Sequence, residues 1–141
     1  MNPLTMASLL FAVLPALHPA TVLVRIPADQ DRRVRLVQEQ ISEDGSAATI
    51  VFRARGGIFF CDVIPSKLPL RKLTFVIQGE EHWEGVQFFP GGDMAKAVDL
   101  RTADGVRIFR SGKNCKIEFG PAAILLLKQG GRFQFVNQYR S

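Results

Sequence analysis

The sequence predicts an all-β protein, an antiparallel sandwich of two sheets, and three observations support this. Short apolar segments recur at intervals of roughly 8–12 residues, with turn-forming residues between them. Within most segments apolar and charged side chains alternate, as expected for sheets with one face in water. Phe, which favours strands, occurs 11 times in 141 residues. A small β-barrel is the alternative fold that the same pattern allows.

Strands in the first half of the chain are predicted at residues 21–26, 33–38, 49–55, 58–64 and 72–78. Pro27 ends the first of these strands, and Gly45 provides the positive φ for a turn before the third. The segment 58–64 is an almost continuous apolar run, which predicts a central strand buried on both faces.

Strands in the second half are predicted at residues 86–89, 96–100, 106–110, 114–119 and 132–136. Gly105 and Gly112 lie in the turns that separate three of them. The apolar segment 122–127 fits either a buried strand or a turn of helix, and its short length favours a strand. No repeat or linker interrupts this pattern, so residues 21–141 are predicted to form one domain.

The N-terminal segment has the pattern of an export signal. No charged side chain precedes Arg25. An apolar run over residues 9–14 is followed by small residues and prolines, which is typical of a signal peptide with its cleavage region. Cleavage after Ala20 is expected, and Ala16 is the other candidate position.

A membrane anchor and a plain N-terminal strand are the alternatives to a signal peptide. An anchor needs about 20 consecutive apolar residues, and Pro15 and Pro19 interrupt the run that could supply them. We therefore expect residues 1–20 to be removed and the mature protein to be extracytoplasmic, either periplasmic or secreted, without a membrane span.

Cys61 and Cys115 are the two cysteines of the chain. Both fall in predicted strands with their side chains on apolar faces, and in an exported chain this pair predicts one disulfide. Reduced core thiols are the alternative if the chain is not exported. The sequence has neither a CxxC pair nor a Cys/His cluster, so no metal site and no cofactor are expected.

One part of the chain resembles a known family. The segment VQFFPGG at residues 86–92, followed by KAVDL at residues 96–100, resembles the strand–turn–strand segment of Calx-beta-type immunoglobulin-like domains, and EDG at residues 43–45 resembles their opening. The resemblance implies an immunoglobulin-like sandwich. Family members that bind calcium use clustered acidic residues, but the matching region after Leu100 has the single acid Asp104, so no calcium ligand is carried over.

A hydrolytic site is the enzymatic alternative. His82 lies among Glu80, Glu81 and Glu84, and a histidine beside a carboxylate can act as a general base. A solvated acidic loop around Trp83 explains the same residues and is preferred. The sequence contains no G-x-S-x-G motif and no phosphate-binding glycine motif, so a non-catalytic protein is favoured.

The formal net charge of +5 can indicate an anionic partner, although a modest positive charge that only keeps the domain soluble is the preferred interpretation. Arg33, Arg35, Arg53 and Arg55 are the candidate anion-binding residues, because they fall on the outer faces of two early strands. A second basic area is predicted around one hairpin, with Arg101, Arg107, Arg110, Lys113 and Lys116. Basic side chains that only protect a wet sheet face are the simpler explanation.

The partner expected from these features is a protein, an anionic glycan or a lipid headgroup. Outward aromatic side chains that could stack on bases are few, namely Phe60, Phe109 and Tyr139, so nucleic acid is disfavoured. The predicted function is a non-catalytic extracytoplasmic module that binds a protein or an anionic envelope component. The alternatives are a small hydrolase that uses His82 and, if the fold is a barrel, a carrier of a small lipophilic ligand.

Overall fold

The structure, a computed structural model, describes residues 22–30, 34–55, 57–79 and 83–137. These residues form ten strands, a short α-helix and a turn of 3-10 helix. The strands are β1 (Val24–Arg25), β2 (Val34–Ile41), β3 (Ala47–Ala54), β4 (Ile58–Val63), β5 (Lys72–Gln78), β6 (Trp83–Pro90), β7 (Val98–Asp99), β8 (Val106–Ser111), β9 (Asn114–Phe119) and β10 (Gly131–Asn137). The 3-10 turn covers Met94–Lys96, and the helix α1 covers Pro121–Leu127.

The strands form two five-stranded sheets. The first has the order β2-β3-β5-β9-β8 and the second has the order β1-β4-β10-β6-β7. The two sheets do not join into a closed barrel. The prediction of a mostly β, two-sheet protein is therefore confirmed, and the alternative of a small barrel is wrong.

The strand directions correct one part of the prediction. The second sheet is antiparallel throughout, but β3 and β5 in the first sheet run parallel. After β3 the chain crosses to the second sheet, forms β4 there and returns to form β5 beside β3. Two strands joined by a crossover point the same way, and alternation within each strand contains no information about such a connection.

Phenylalanine rings in tilted and edge-to-face contact join the inner faces of the two sheets. Phe52 of the first sheet lies with its ring centroid 5.8 Å from that of Phe59 and 6.0 Å from that of Phe135. Phe75 meets Phe133 edge to face at 4.9 Å. Such tilted arrangements are the favoured geometry for aromatic pairs, and they add to the stabilisation from buried area. The apolar residues of the alternating pattern thus form one core between the sheets.

The prediction of a strand at residues 122–127 is wrong, because these residues form the helix α1. Pro121 occupies its first turn, where the missing N–H group has no intrahelical partner in any case. Ile124 and Leu127 are buried against the end of the sandwich, whereas Leu125 is 71% exposed. That spacing is helical, and a six-residue apolar run is too short to show its period in the sequence.

Several boundaries also differ from the prediction. Strand β1 is shorter than expected, and the 3-10 turn takes part of the strand predicted at residues 96–100. Strand β2 extends to Ile41 through an irregularity between Leu36 and Gln38. Strand β4 is not buried on both faces, because Phe60 and Asp62 lie half-buried on the outer face of its sheet.

The sheets are tied at one edge by an inward-facing carboxylate. Glu39 lies on the edge strand β2, and its Oε2 accepts hydrogen bonds from the backbone N–H groups of Leu23 (2.9 Å) and Val24 (3.3 Å) at β1. The Gln30 side chain caps another edge group, since its Oε1 accepts from the N–H of Phe60 at 2.7 Å. Satisfied edge groups make these strands poor templates for pairing with another chain.

The predicted disulfide between Cys61 and Cys115 is absent from the structure. Cys115 lies beside Ile77, and Ile77 lies beside Phe52, in one row of residues across the first sheet. The residue of β4 that contacts this row from the second sheet is Phe59, through its ring contact with Phe52, and not Cys61. Strand β4 is second in its sheet and β9 is fourth in the other, so the two strands that carry the cysteines lie on opposite sheets and are offset laterally by two strand spacings, about 10 Å. A disulfide needs Cα atoms about 5.5 Å apart.

Both cysteines are therefore buried thiols. Cys61 is fully buried and Cys115 is 2% exposed. Burial raises the pKa of both thiols above the ordinary value, which favours the protonated form of each. Because no bond joins them, the cysteine pair does not support an oxidising compartment, and the export prediction depends on the N-terminal segment. That segment lies outside the described residues.

The turn between β2 and β3 is stabilised by a charged side chain. Oδ1 of Asp44 accepts hydrogen bonds from the backbone N–H of Ser46 (3.0 Å), from the Ser46 hydroxyl (2.7 Å) and from the Ser42 hydroxyl (2.8 Å). These bonds lower the pKa of Asp44 from 3.8 to about 2. Gly45 follows with a φ of 76°, as the turn requires.

We expect Asp44→Ala to be less stable than the wild type at neutral pH and nearly equal to it near pH 2. The folded-state pKa lies below the unfolded value, so the stabilisation is present above about pH 4 and is lost as the pH falls toward about 2. Urea unfolding of both proteins across this range measures the difference. A difference that stays constant with pH would show that the charge of Asp44 contributes nothing.

Candidate functional site

The outer face of the first sheet brings two of the predicted arginines together. Arg35 on β2 lies directly opposite Arg53 on β3, and both are exposed. Like charges on directly opposite residues repel each other, so this pair raises the energy of the folded protein. Arg55 is exposed just beyond the end of β3, and Arg33 lies outside the described residues.

Cations continue across the same face to the far edge of the sheet. The register places five cations outward on this sheet: Arg35, Arg53, Lys72, Arg107 and Lys116. We call these five residues the basic face. Among the strand residues described for this sheet, Glu118 is the one outward acid, and its carboxylate lies 3.5 Å from Nζ of Lys116. The face spans four strand spacings, about 19 Å.

An exposed aromatic ring organises the far edge of the basic face. Phe109 on β8 is 37% exposed. The Cζ of Arg107 lies 5.0 Å from its ring centroid and the Nζ of Lys116 lies 5.4 Å from it. Cation–π attraction therefore holds both cations above the sheet surface while leaving their charges in water.

The second predicted basic area is brought together only in part. Arg107 and Lys116 are neighbours at Phe109, and Lys113 lies in the turn between β8 and β9. Arg110 lies on the edge strand β8 directly opposite Cys115, on the inner face of the sheet and not on the basic face, and it is exposed. Arg101 lies in the turn after β7, where it forms a 2.7 Å ion pair with Asp99, and this pairing lowers the pKa of the Asp99 carboxyl.

A groove of about 550 Å³ lies on the outer face of the second sheet. Its walls come from β4, from the start of β10 and from the turns that precede β10 and follow β6. The two turns are joined by a 2.8 Å hydrogen bond from the Gly91 N–H to the Gly130 carbonyl. Four glycines line the rims of the groove, so the rims there consist of backbone without side chains: Gly91, Gly92, Gly130 and Gly131. All four have positive φ, a conformation that glycine adopts easily.

One wall of the groove holds a positioned ion pair. Arg132 on β10 lies directly opposite Asp62 on β4, and its Nε donates a hydrogen bond to Oδ1 of Asp62. The Cζ of Arg132 also lies 5.7 Å from the centroid of the Phe60 ring. The bond to Asp62 raises the pKa of Arg132. Together these contacts fix the plane of the guanidinium group.

The candidate hydrolase residues are not brought into a described site. Glu80, Glu81 and His82 lie outside the described residues, as does Tyr139, and nothing is described of the Trp83 and Glu84 side chains beyond their place on β6. Within the described ranges there is no group of three or more His, Cys, Asp or Glu side chains that could hold a metal ion. The same ranges contain no helix that is long and apolar enough to cross a membrane.

An apolar cavity near α1 is too small for a lipophilic ligand. It has a volume of about 20 Å³ and is lined by residues that include Leu23, Leu73 and Ile124. That volume holds roughly one water molecule. This cavity is therefore too small for the lipophilic ligand that the barrel alternative implies.

Sequence reasoning found the arginines but missed the groove. Its residues are single positions on separate strands together with glycines in turns, and no sequence motif connects them. The available signal was Asp62, the one charged residue in the apolar run of residues 58–64. Comparison of the chain with protein-family models, with curated proteins and with solved structures found no match.

Proposed function

We propose that this protein is a non-catalytic, extracytoplasmic binding module for an anionic envelope component, and that the basic face is its contact surface. The single observation that supports this most is the direct pairing of Arg35 with Arg53, which has no acid between the two strands. The proposal includes the export signal at residues 1–20 and the immunoglobulin-like arrangement that the Calx-beta resemblance implies.

The shape of the basic face favours a partner with repeated charges. The cations lie on an open sheet surface about 19 Å wide, and not around a single concavity. A small anion could contact one or two of them, whereas an acidic glycan or a layer of lipid headgroups presents charges at many points. Charges spread in this way raise the local concentration of an anionic partner and speed its association.

We expect Arg35→Gln with Arg53→Gln to weaken binding to fluorescent dextran sulfate by about tenfold or more, a factor that corresponds to about 1.4 kcal/mol. Fluorescence anisotropy at several salt concentrations measures the affinity. The affinity of the wild type should fall steeply with salt, because exposed charges are screened. Vesicles with and without an anionic phospholipid, titrated in parallel, distinguish a lipid headgroup from a glycan as the better partner.

The matched control is Lys67→Gln with Lys128→Gln. Both lysines are exposed and lie off the basic face, in the loop after β4 and just after α1, so this variant loses the same net charge. It should bind dextran sulfate almost as tightly as the wild type. Equal losses in the two double variants would mean that net charge alone drives binding and would contradict the proposal.

A further inference from the structure

We propose that the groove on the second sheet is a separate binding site for the carboxyl-terminal residue of a peptide. In this arrangement the terminal carboxylate pairs with Arg132, the adjacent backbone N–H donates to Asp62, and an apolar side chain packs against the groove wall. The site lies on the opposite face of the sandwich from the basic face and does not depend on it.

The guanidinium of Arg132 is oriented but not saturated. Within the part of the chain that the structure describes, Nε is its one nitrogen with a hydrogen-bond partner, the Oδ1 of Asp62. The side chain is 41% exposed and lies among the residues that line the groove. The two terminal nitrogens therefore remain as a planar fork of donors, and this fork matches the two oxygens of a carboxylate.

The carboxylate of Asp62 also has an oxygen that remains available as a hydrogen-bond acceptor. Only its Oδ1 accepts a side-chain hydrogen bond within the described ranges, and its side chain is 21% exposed on the groove wall. Arg132 and Asp62 together form a pair without net charge, and the acidic Asp29 also acts on Arg132. Such surroundings do not favour a multiply charged anion. They complement a ligand that carries a carboxylate next to an N–H donor, which is the chemistry of a peptide end.

The remaining walls fit an apolar side chain and a continuing chain. Phe60, Val63, Pro65 and Met94 line the groove, and Met94 is 71% exposed. A volume of about 550 Å³ falls within the range of roughly 300–1,000 Å³ that is usual for sites of organic ligands. It exceeds what a single ion would fill, and the groove is open, so the residues before the terminal one can leave it.

Titration calorimetry with matched peptides tests the site on the full chain. The probes are N-acetyl-Gly-Leu with a free carboxylate, the same peptide as its C-terminal amide, and free leucine. We expect the acid to bind about tenfold or more tightly than the amide, because charge-assisted hydrogen bonds are the stronger ones. Tighter binding of free leucine than of the peptide acid would instead make an amino acid the ligand and overturn the peptide assignment.

Variants assign the preference to Arg132. Arg132→Gln should bind the acid and the amide equally, and Arg132→Lys should recover part of the preference. Arg25→Gln is the matched control, because Arg25 lies on the other side of Asp62 in the same row, is exposed and does not line the groove. It should keep the full preference. Thermal unfolding of each variant confirms that it is folded.

Several further results would overturn the proposal. They are equal binding of acid and amide to the wild type, an acid preference that survives in folded Arg132→Gln, and no saturable binding of either peptide. Binding of a neutral oligosaccharide in the groove in place of the peptide acid would also overturn the proposal. None of these results bears on the basic face, so the two sites are tested independently.

Discussion

Replacing Phe133 with alanine should lower the free energy of unfolding by about 3–5 kcal/mol. Phe133 is fully buried, and its ring centroid lies 4.7 Å from that of Phe88, 4.9 Å from that of Phe75 and 5.7 Å from that of Phe119. It therefore contacts both sheets, and its removal leaves a cavity where they meet. A domain is stable by only about 5–15 kcal/mol, so this loss is a large share of the total.

Urea unfolding at constant pH measures the loss, and Phe109→Ala is the control. Phe109 has the same side chain but lies on the edge strand β8 with 37% of its surface in water. Its replacement should cost about 1 kcal/mol or less, since exposed positions usually contribute little. Similar losses for the two variants would contradict the placement of Phe133 between the sheets.

Gly131→Ala should destabilise the protein by about 3 kcal/mol or more, because backbone strain and a steric clash act together. Gly131 has a φ of 152°, which L residues rarely adopt. A Cβ at this position would lie 2.4 Å from the Phe89 carbonyl oxygen and 2.7 Å from Cζ of Phe88. The backbone atom is held in the sheet and the Phe88 ring is fully buried, so neither neighbour can move cheaply.

Gly91→Ala separates strain from clash. Gly91 has a φ of 61° on the rim of the groove, but a Cβ there would meet nothing within 4 Å. Its replacement should therefore cost only the strain, roughly 1–2 kcal/mol. Thermal or urea unfolding compares the two variants. If Gly131→Ala is no more destabilised than Gly91→Ala, the close approach of β10 to β6 is not as the structure has it.

The sequence predicted the sheets well because alternation records burial directly. In β9, residues 114–119 match the predicted strand, and Cys115, Ile117 and Phe119 are the buried positions. The same holds for Leu73, Phe75 and Ile77 in β5. Each side chain points to one face or the other, so a period of two in the sequence follows from a single buried face.

The sequence could not predict relations between strands that are far apart. The parallel pairing of β3 with β5 and the row that each cysteine occupies depend on strand order, and burial of a residue is the same in any order. Cys61 and Cys115 were each correctly predicted to point into the core. Their separation follows from which strands face each other, and this information is carried by contacts such as Phe52 with Phe59.

The binding surfaces divide in the same way. Arg35 and Arg53 were found because they alternate with apolar residues on two strands that pair as neighbours. Arg132 and Asp62 were not, because the strands β10 and β4 that carry them lie 70 positions apart in the chain. An ion pair between distant strands leaves no spacing in the sequence that could reveal it.

The most direct test of the proposed function is a map of the contact surface by NMR. Amide chemical shifts of the labelled protein are followed while a short dextran sulfate is added at low salt. We predict the largest shift changes on the strands of the first sheet, around the five residues of the basic face, and almost none on β4 and β10. Changes confined to the second sheet, or spread evenly over all exposed lysines and arginines, would contradict the basic face as the site of anion binding.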